Sequence, residues 1–103
     1  MKSDKEFIHV VMVDIDPEHE EAFGQWYVEQ HFPDLLACPG WLSAQRFVNM
    51  GEGPKYAAMY LVAGQWAFET EEFLKAKGFG PYEGHVRNFR RLQFMPISEL
   101  AVA

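Results

Sequence analysis

Cysteine is nearly absent. Cys38 stands alone among 103 residues, so no internal disulfide can form, and a reducing, cytoplasmic setting is the simplest expectation. Cations are scarce as well. Nine Lys and Arg face 15 Asp and Glu, a net charge of −6, and the pI is near 5.1. Non-specific nucleic-acid binding rests on basic groups meeting phosphates, so this balance argues against it. The one basic run, "RNFRR" at 87–91, reads as an edge or interface strand that balances nearby acids. No apolar run approaches the ~18–20 residues of a membrane span. The opening "MKSDKEFIHV" lacks the apolar stretch of a signal peptide.

Familiar chemical spacings are missing too. The four His and the single Cys form neither HxxxH nor CxxC, so no metal site and no bound cofactor are expected. GxSxG does not occur. "GEGPK", residues 51–55, lacks the phosphate-loop pattern and reads as a hairpin turn. Cys38 follows Ala37 in a turn with nothing basic beside it, which fits an inert thiol better than a nucleophile.

What the chain does have is apolar and aromatic. Hydrophobic residues make up 49%, with nine Phe, four Tyr and three Trp. Aromatics carry large buried area and can fill a core or line a pocket. The length fits one domain over residues 1–103.

"EFIHVVMVDI", residues 6–15, is a β-branched run of strand length, expected to be buried on both faces. Asp16 then occupies an N-cap position with Pro17 at the first helical residue. Glu18, Glu20 and Glu21 follow, where the helix dipole favours negative charge. The helix should run from Pro17 to about His31. Phe32 precedes Pro33, which disfavours helical geometry, and "PDLLAC" at 33–38 can make one more short turn before "PG" at 39–40 closes it. Residues 41–50 read as a second strand and 55–63 as a third, joined by the turn "GEGP" into an antiparallel hairpin. Residues 64–80 carry apolar positions at 66, 68, 73, 74 and 76, a second helix with Gly78 as its stop. "PYEGH" at 81–85 is irregular, and 86–97 make a final strand.

The order β-α-β-β-α-β is the ferredoxin-like arrangement. It is an α+β fold, with two helices on one face of a four-stranded antiparallel sheet. The other face is too apolar for water, because strands one and three are apolar on both sides. An uncovered apolar sheet face calls for a partner, and a second copy placed face to face is the expectation.

"VDIDPEHEEAFGQWYVEQHFPDLLACPGWLSAQRF", residues 13–47, resembles the front half of EthD-like proteins of the dimeric α/β-barrel superfamily. The shared elements are Trp26-Tyr27 on the helix, His31-x-Pro33-Asp34, Pro39-Gly40, and a strand holding Arg46-Phe47. The resemblance implies a homodimer in which two sheets form one barrel. Related proteins include cofactor-free monooxygenases, aromatic cyclases, lactone isomerases and haem-handling enzymes. Fold alone does not choose among them.

Residues four apart share a helix face. Phe23, Tyr27 and His31 follow that spacing, with Trp26 beside them. His31 therefore extends an inward row to the helix end, where an imidazole can be a general base or a core side chain bonded to a backbone carbonyl. Asp34 can orient His31, as a carboxylate orients a catalytic imidazole, or cap a short turn. Tyr56 and Tyr60 alternate onto one sheet face. Arg46 is a charge on an apolar strand face and needs a partner: a substrate anion, a carboxylate, or water. His9 reads as structural at the sheet end, His19 as solvated, and His85 as a weak candidate for a pocket rim or haem ligand.

The expectation is a small cofactor-free enzyme that moves a proton on an apolar aromatic or cyclic substrate. His31 and Asp34 are the catalytic candidates, and Trp26, Tyr27, Arg46 and Tyr60 the substrate-binding ones. The alternatives are a non-catalytic dimer that binds a small hydrophobic molecule, and a haem-handling barrel enzyme.

Overall fold

The β-branched run at the start forms strand β1 (Phe7–Ile15), the second strand is β2 (Trp41–Val48), the third β3 (Tyr56–Val62) and the last β4 (Val86–Phe94). In this computed structural model, which describes residues 5–97, they form one sheet in the order β2-β3-β1-β4 with every neighbour antiparallel. Each helical connection returns to the same face. The fold is the expected ferredoxin-like βαββαβ arrangement.

Alternation along the strands sorts side chains between two faces. Toward the helices point Phe7, His9, Val11 and Val13 of β1, paired with Val62, Tyr60, Ala58 and Tyr56 of β3. Phe7, Val13, Val62 and the helical Phe23 are the most deeply buried large side chains. Each contributes about 2–3 kcal/mol of hydrophobic burial. The opposite face carries Ile8, Val10 and Met12 beside Leu61, Met59 and Ala57, with Phe47 on one flank and Leu92 and Phe94 on the other. No described helix covers it.

The first connection departs from expectation in two ways. Asp16 holds the N-cap position with Pro17 next, but its side chain makes no cap hydrogen bond. Its carboxylate instead accepts from the Arg87 guanidinium at 3.2 and 3.3 Å and lies 3.2 Å from His85 Nδ1. Charge-assisted bonds of this kind are stronger than a neutral cap. Second, the helix does not stop at Phe32. A 3-10 turn (Pro17–His19), α1 (Glu20–Trp26), a π-helical turn (Tyr27–His31) and α2 (Phe32–Leu36) run end to end. Phe32 is helical, at φ −61° and ψ −48°, and its N–H bonds to the Tyr27 carbonyl five residues back. A proline in a regular helix clashes with the carbonyl four residues earlier. The wider π turn sits just before Pro33 and gives its ring room.

The Asn49 side chain ties together the β2–β3 turn. It donates to the Glu52 and Pro54 carbonyls and accepts from Gly51 N–H. The second connection is not one helix over 64–80. It breaks into a 3-10 turn (Gln65–Phe68), a short α3 (Glu71–Ala76) and another 3-10 turn (Gly80–His85). Thr70 restarts the chain as an N-cap, accepting from Phe73 N–H at 3.1 Å. Lys77 is extended and Gly78 has φ +97°, which ends α3. The apolar spacing over 64–80 was that of two half-turns packed on one core, not of one helix. No described helix is long and apolar enough to cross a membrane.

Candidate active site

Between the helical layer and the sheet lies a cavity of about 360 Å³. That is the small end of the usual range for ligand cavities, about 300–1,000 Å³. Tyr27, His31 and Leu35 descend into it from the first helical run. His9 and Tyr60 rise from the central strands, and Trp41 from the start of β2. All six are buried. Phe68 and Phe73 come from the second connection, and Lys77, Phe79, Phe89 and Arg91 surround the mouth.

His31 is 6% exposed. Its ring lies flat on the Trp26 indole at 4.6 Å between centroids and meets Tyr27 edge-on at 5.1 Å. No hydrogen bond holds its ring nitrogens among the described residues, and neither nitrogen is sealed from solvent. The imidazole is therefore fixed by packing and free at its polar edge. Burial holds its pKa down at about 4, against a smaller upward pull from the Asp34 carboxylate. The ring is neutral at pH 7, the form a base requires.

Two phenols accompany it, Tyr27 on the same helical run and Tyr60 on β3. The Tyr27 and Tyr60 hydroxyls are near enough for each to act on the other's ionisation. Burial pushes Tyr27 up to about 12 and drives Tyr60 higher still, so both stay protonated and able to donate. His9 faces Tyr60 across the β1–β3 ladder. Its Nδ1 lies 3.3 Å from the Gln93 amide nitrogen, and burial, aided by the Arg91 charge, lowers its pKa to about 4. A row of rings thus runs from His9 through Tyr60 and Tyr27 to His31.

Of the residues singled out from sequence, His31, Tyr27 and Tyr60 meet in this cavity. Trp26 supports His31 from behind without lining it. Asp34 lies one turn beyond, exposed, near enough to act on His31 through charge but not bonded to it. It caps nothing, because the helix runs through it without a break. Arg46 lies elsewhere. Its guanidinium packs over the rings of Tyr27 and Tyr56, each at 4.8 Å, and Phe23 at 5.6 Å, and borders a shallow groove with Glu20, Glu21 and Glu29. Tyr56 donates to Glu20 at that groove. His85 packs tilted against His19, with 3.9 Å between ring centroids, beside Asp16 and outside the cavity. Cys38 is buried and gives its S–H to the Asp34 carbonyl at 3.3 Å, and burial pushes the thiol up. Among the described residues, no three His, Cys, Asp or Glu side chains gather as a metal would need.

Sequence reading missed His9, Trp41, Phe68, Phe73, Phe79, Phe89, Lys77 and Arg91 as cavity residues. His9 carried a signal: strands one and three are neighbours in this topology, and the shared alternation pairs it with Tyr60.

No protein-family model and no curated protein sequence matches the chain. Solved structures match it closely in shape. SnoaB, a cofactor-independent oxygenase from Streptomyces nogalater, superposes with a TM-score of 0.69 at 15% identity, over 95% of this chain and 98% of that one. An EthD family protein from Bacillus halodurans gives 0.65 at 15% identity, over 88% and 99%. A DABB family protein from Mesorhizobium loti, described as ferredoxin-like, gives 0.71 at 11% identity, over 90% and 98%. The chain is EthD-like and ferredoxin-like in fold. At these identities the likeness carries the fold and leaves the chemistry to the cavity.

Proposed function

We propose that this protein is a small enzyme that moves protons on an aromatic or cyclic organic substrate, using its own side chains and no bound cofactor. The observation that carries this reading is His31: an uncharged imidazole with a free polar edge, fixed in an aromatic cavity beside two protonated phenols. His31 takes a proton from a carbon next to a carbonyl. Tyr60 or Tyr27 donates to the oxygen on which charge develops. Trp26 is a positioning residue for the imidazole, and Asp34 steadies the imidazolium from outside through charge. Arg46 acts on the site only through Tyr27, whose ring it covers. A base with a pKa near 4 is weak, but enolate charge formed beside it in a largely apolar cavity raises its proton affinity. A cofactor-independent oxygenase among the structural neighbours is consistent with chemistry that begins by making a carbanion. We further propose a homodimer closed through the helix-free sheet face.

The test is exchange of α-protons for deuterium in a panel of cyclic aryl ketones such as 2-tetralone, followed by proton NMR. Wild type should accelerate exchange and His31→Asn should not. Binding of the panel without exchange would favour the non-catalytic ligand carrier.

A further inference from the structure

The cavity is lined by no Asp or Glu, although the chain carries 15 of them and a net charge of −6. Its charged lining residues are Lys77 and Arg91, and both are exposed at the mouth. Two other cations do meet acids: Lys55 pairs with Glu20, and Arg87 with Asp16. Lys77 and Arg91 have no carboxylate partner among the described residues. They come from different parts of the fold, Lys77 from the stop of α3 and Arg91 from β4, and converge on one opening. Arg91 is turned toward the cavity, with its guanidinium 5.9 Å from the centre of the Phe68 ring that forms part of the wall. The interior beyond them is aromatic and uncharged.

An aromatic body fits the interior, and one negative charge fits the mouth. We infer that the substrate is an aromatic acid, with its ring system between His31 and Tyr60 and its carboxylate held at the mouth by Lys77 and Arg91. This rests on the cavity being the substrate site. Arg91 matches a carboxylate with two parallel donors, and Lys77 adds a point charge. Two cations facing an opening also steer an anion toward it, against the repulsion of an acidic protein surface. Orientation follows: with the charged end fixed at the mouth, the far ring is delivered to His31.

The experiment is calorimetric titration of the protein at pH 7 with naphthalene-2-carboxylate and with its methyl ester, which keeps the ring and removes the charge. The acid should bind about tenfold more tightly than the ester at low salt, and the difference should shrink in ~0.5 M salt as screening shortens the reach of the cations. Lys77→Gln/Arg91→Gln should lose about tenfold for the acid and nothing for the ester. Both side chains are exposed, so the variant should fold, and its thermal melt checks that. Equal binding of acid and ester, or equal loss of both in the variant, would overturn the acid assignment and leave an aromatic cavity in place. Binding of neither would overturn the acid assignment together with the aromatic cavity reading.

Discussion

Trp26 and His31 stack ring on ring, 15° from parallel, though they are five residues apart on one helical run. At about 100° per residue, a regular α-helix would set them about 140° apart. The π turn over Tyr27–His31 brings them together. Turns of this kind occur often at functional sites, and here the consequence is concrete. The indole fixes one face of the imidazole, the Tyr27 ring borders it edge-on, and the ring nitrogens remain available.

His31→Asn should therefore be a mild change for the fold. The variant loses the stack on Trp26 but orphans no hydrogen-bond partner, so the cost should be about 1 kcal/mol. Urea unfolding measures it. α-Proton exchange should fall by about 10²-fold or more, while binding of an aromatic ligand persists. A loss above about 3 kcal/mol with unchanged exchange would make His31 a structural residue.

Acid should weaken the fold earlier than its carboxylates predict. His9 and His31 are held near 4 in the folded chain against an ordinary 6.5. The unfolded chain takes up these protons first, so stability is flat above about pH 6.5 and falls as pH drops toward 4. Each histidine should contribute about 1 kcal/mol of loss between pH 6.5 and 5. Asp14, Asp16 and Glu20 are also held below their ordinary values of 3.8 and 4.5, but what they add is lost only below those values. Thermal melts from pH 7.5 to 5 should show the slope in wild type and lose most of it in His9→Gln/His31→Asn. An unchanged slope in that variant would mean that neither histidine is buried neutral. By the same pKa values, the acid limb of kcat/KM should lie near pH 4 and not near 6.5.

The fold was legible because each strand announced itself. β-branched runs of strand length, a Pro-marked helix start and the "GEGP" turn leave one common topology. The site was half legible. Phe23, Tyr27 and His31 share a face in any helix, so the inward row was visible. The π turn was not, because proline tolerance depends on a local widening that no single residue type encodes. Arg46 was correctly read as a charge needing company, but the company is aromatic: three rings, not a carboxylate. Lys77 and Arg91 were beyond reach, since their meeting depends on how residues 77–85 fold back over the sheet.

Two glycines should respond in opposite ways. Gly40 has φ +87°, and an added Cβ would lie 2.7 Å from Ala67 Cβ and 2.8 Å from the Trp66 ring. Ala67 is fully buried while Trp66 is 39% exposed, and Trp41 next door donates its indole N–H to the Ala67 carbonyl at 3.2 Å. Gly40→Ala should cost about 2–4 kcal/mol from strain and overpacking. Gly24 sits in α1, where an added Cβ meets only the tip of the Arg46 guanidinium at 3.0 Å. That tip can move. Alanine gains about 0.5–1 kcal/mol over glycine inside a helix, so Gly24→Ala should be neutral to stabilising. Denaturant midpoints for the pair decide it, and a destabilised Gly24→Ala would show that the Arg46 cage is rigid.

The helix-free face sets the last expectation. Val10, Met59 and Gln45 form one row across the sheet, and Met12, Ala57 and Phe47 the next. Phe47 and Phe94 are 43% and 54% exposed at its two flanks. Gln45 and Arg90 interrupt a face that is otherwise mostly apolar. Such a surface is costly to leave in water, and two such faces can cover each other. Sedimentation at micromolar concentration should give twice the 11.9 kDa chain mass. Met59→Glu puts a carboxylate near the middle of the face, where desolvation inside a dimer costs several kcal/mol. It points away from the cavity, so it should produce a folded monomer that still binds an aromatic ligand. A wild-type monomer would remove the barrel, and a dimeric Met59→Glu would move the interface to another surface.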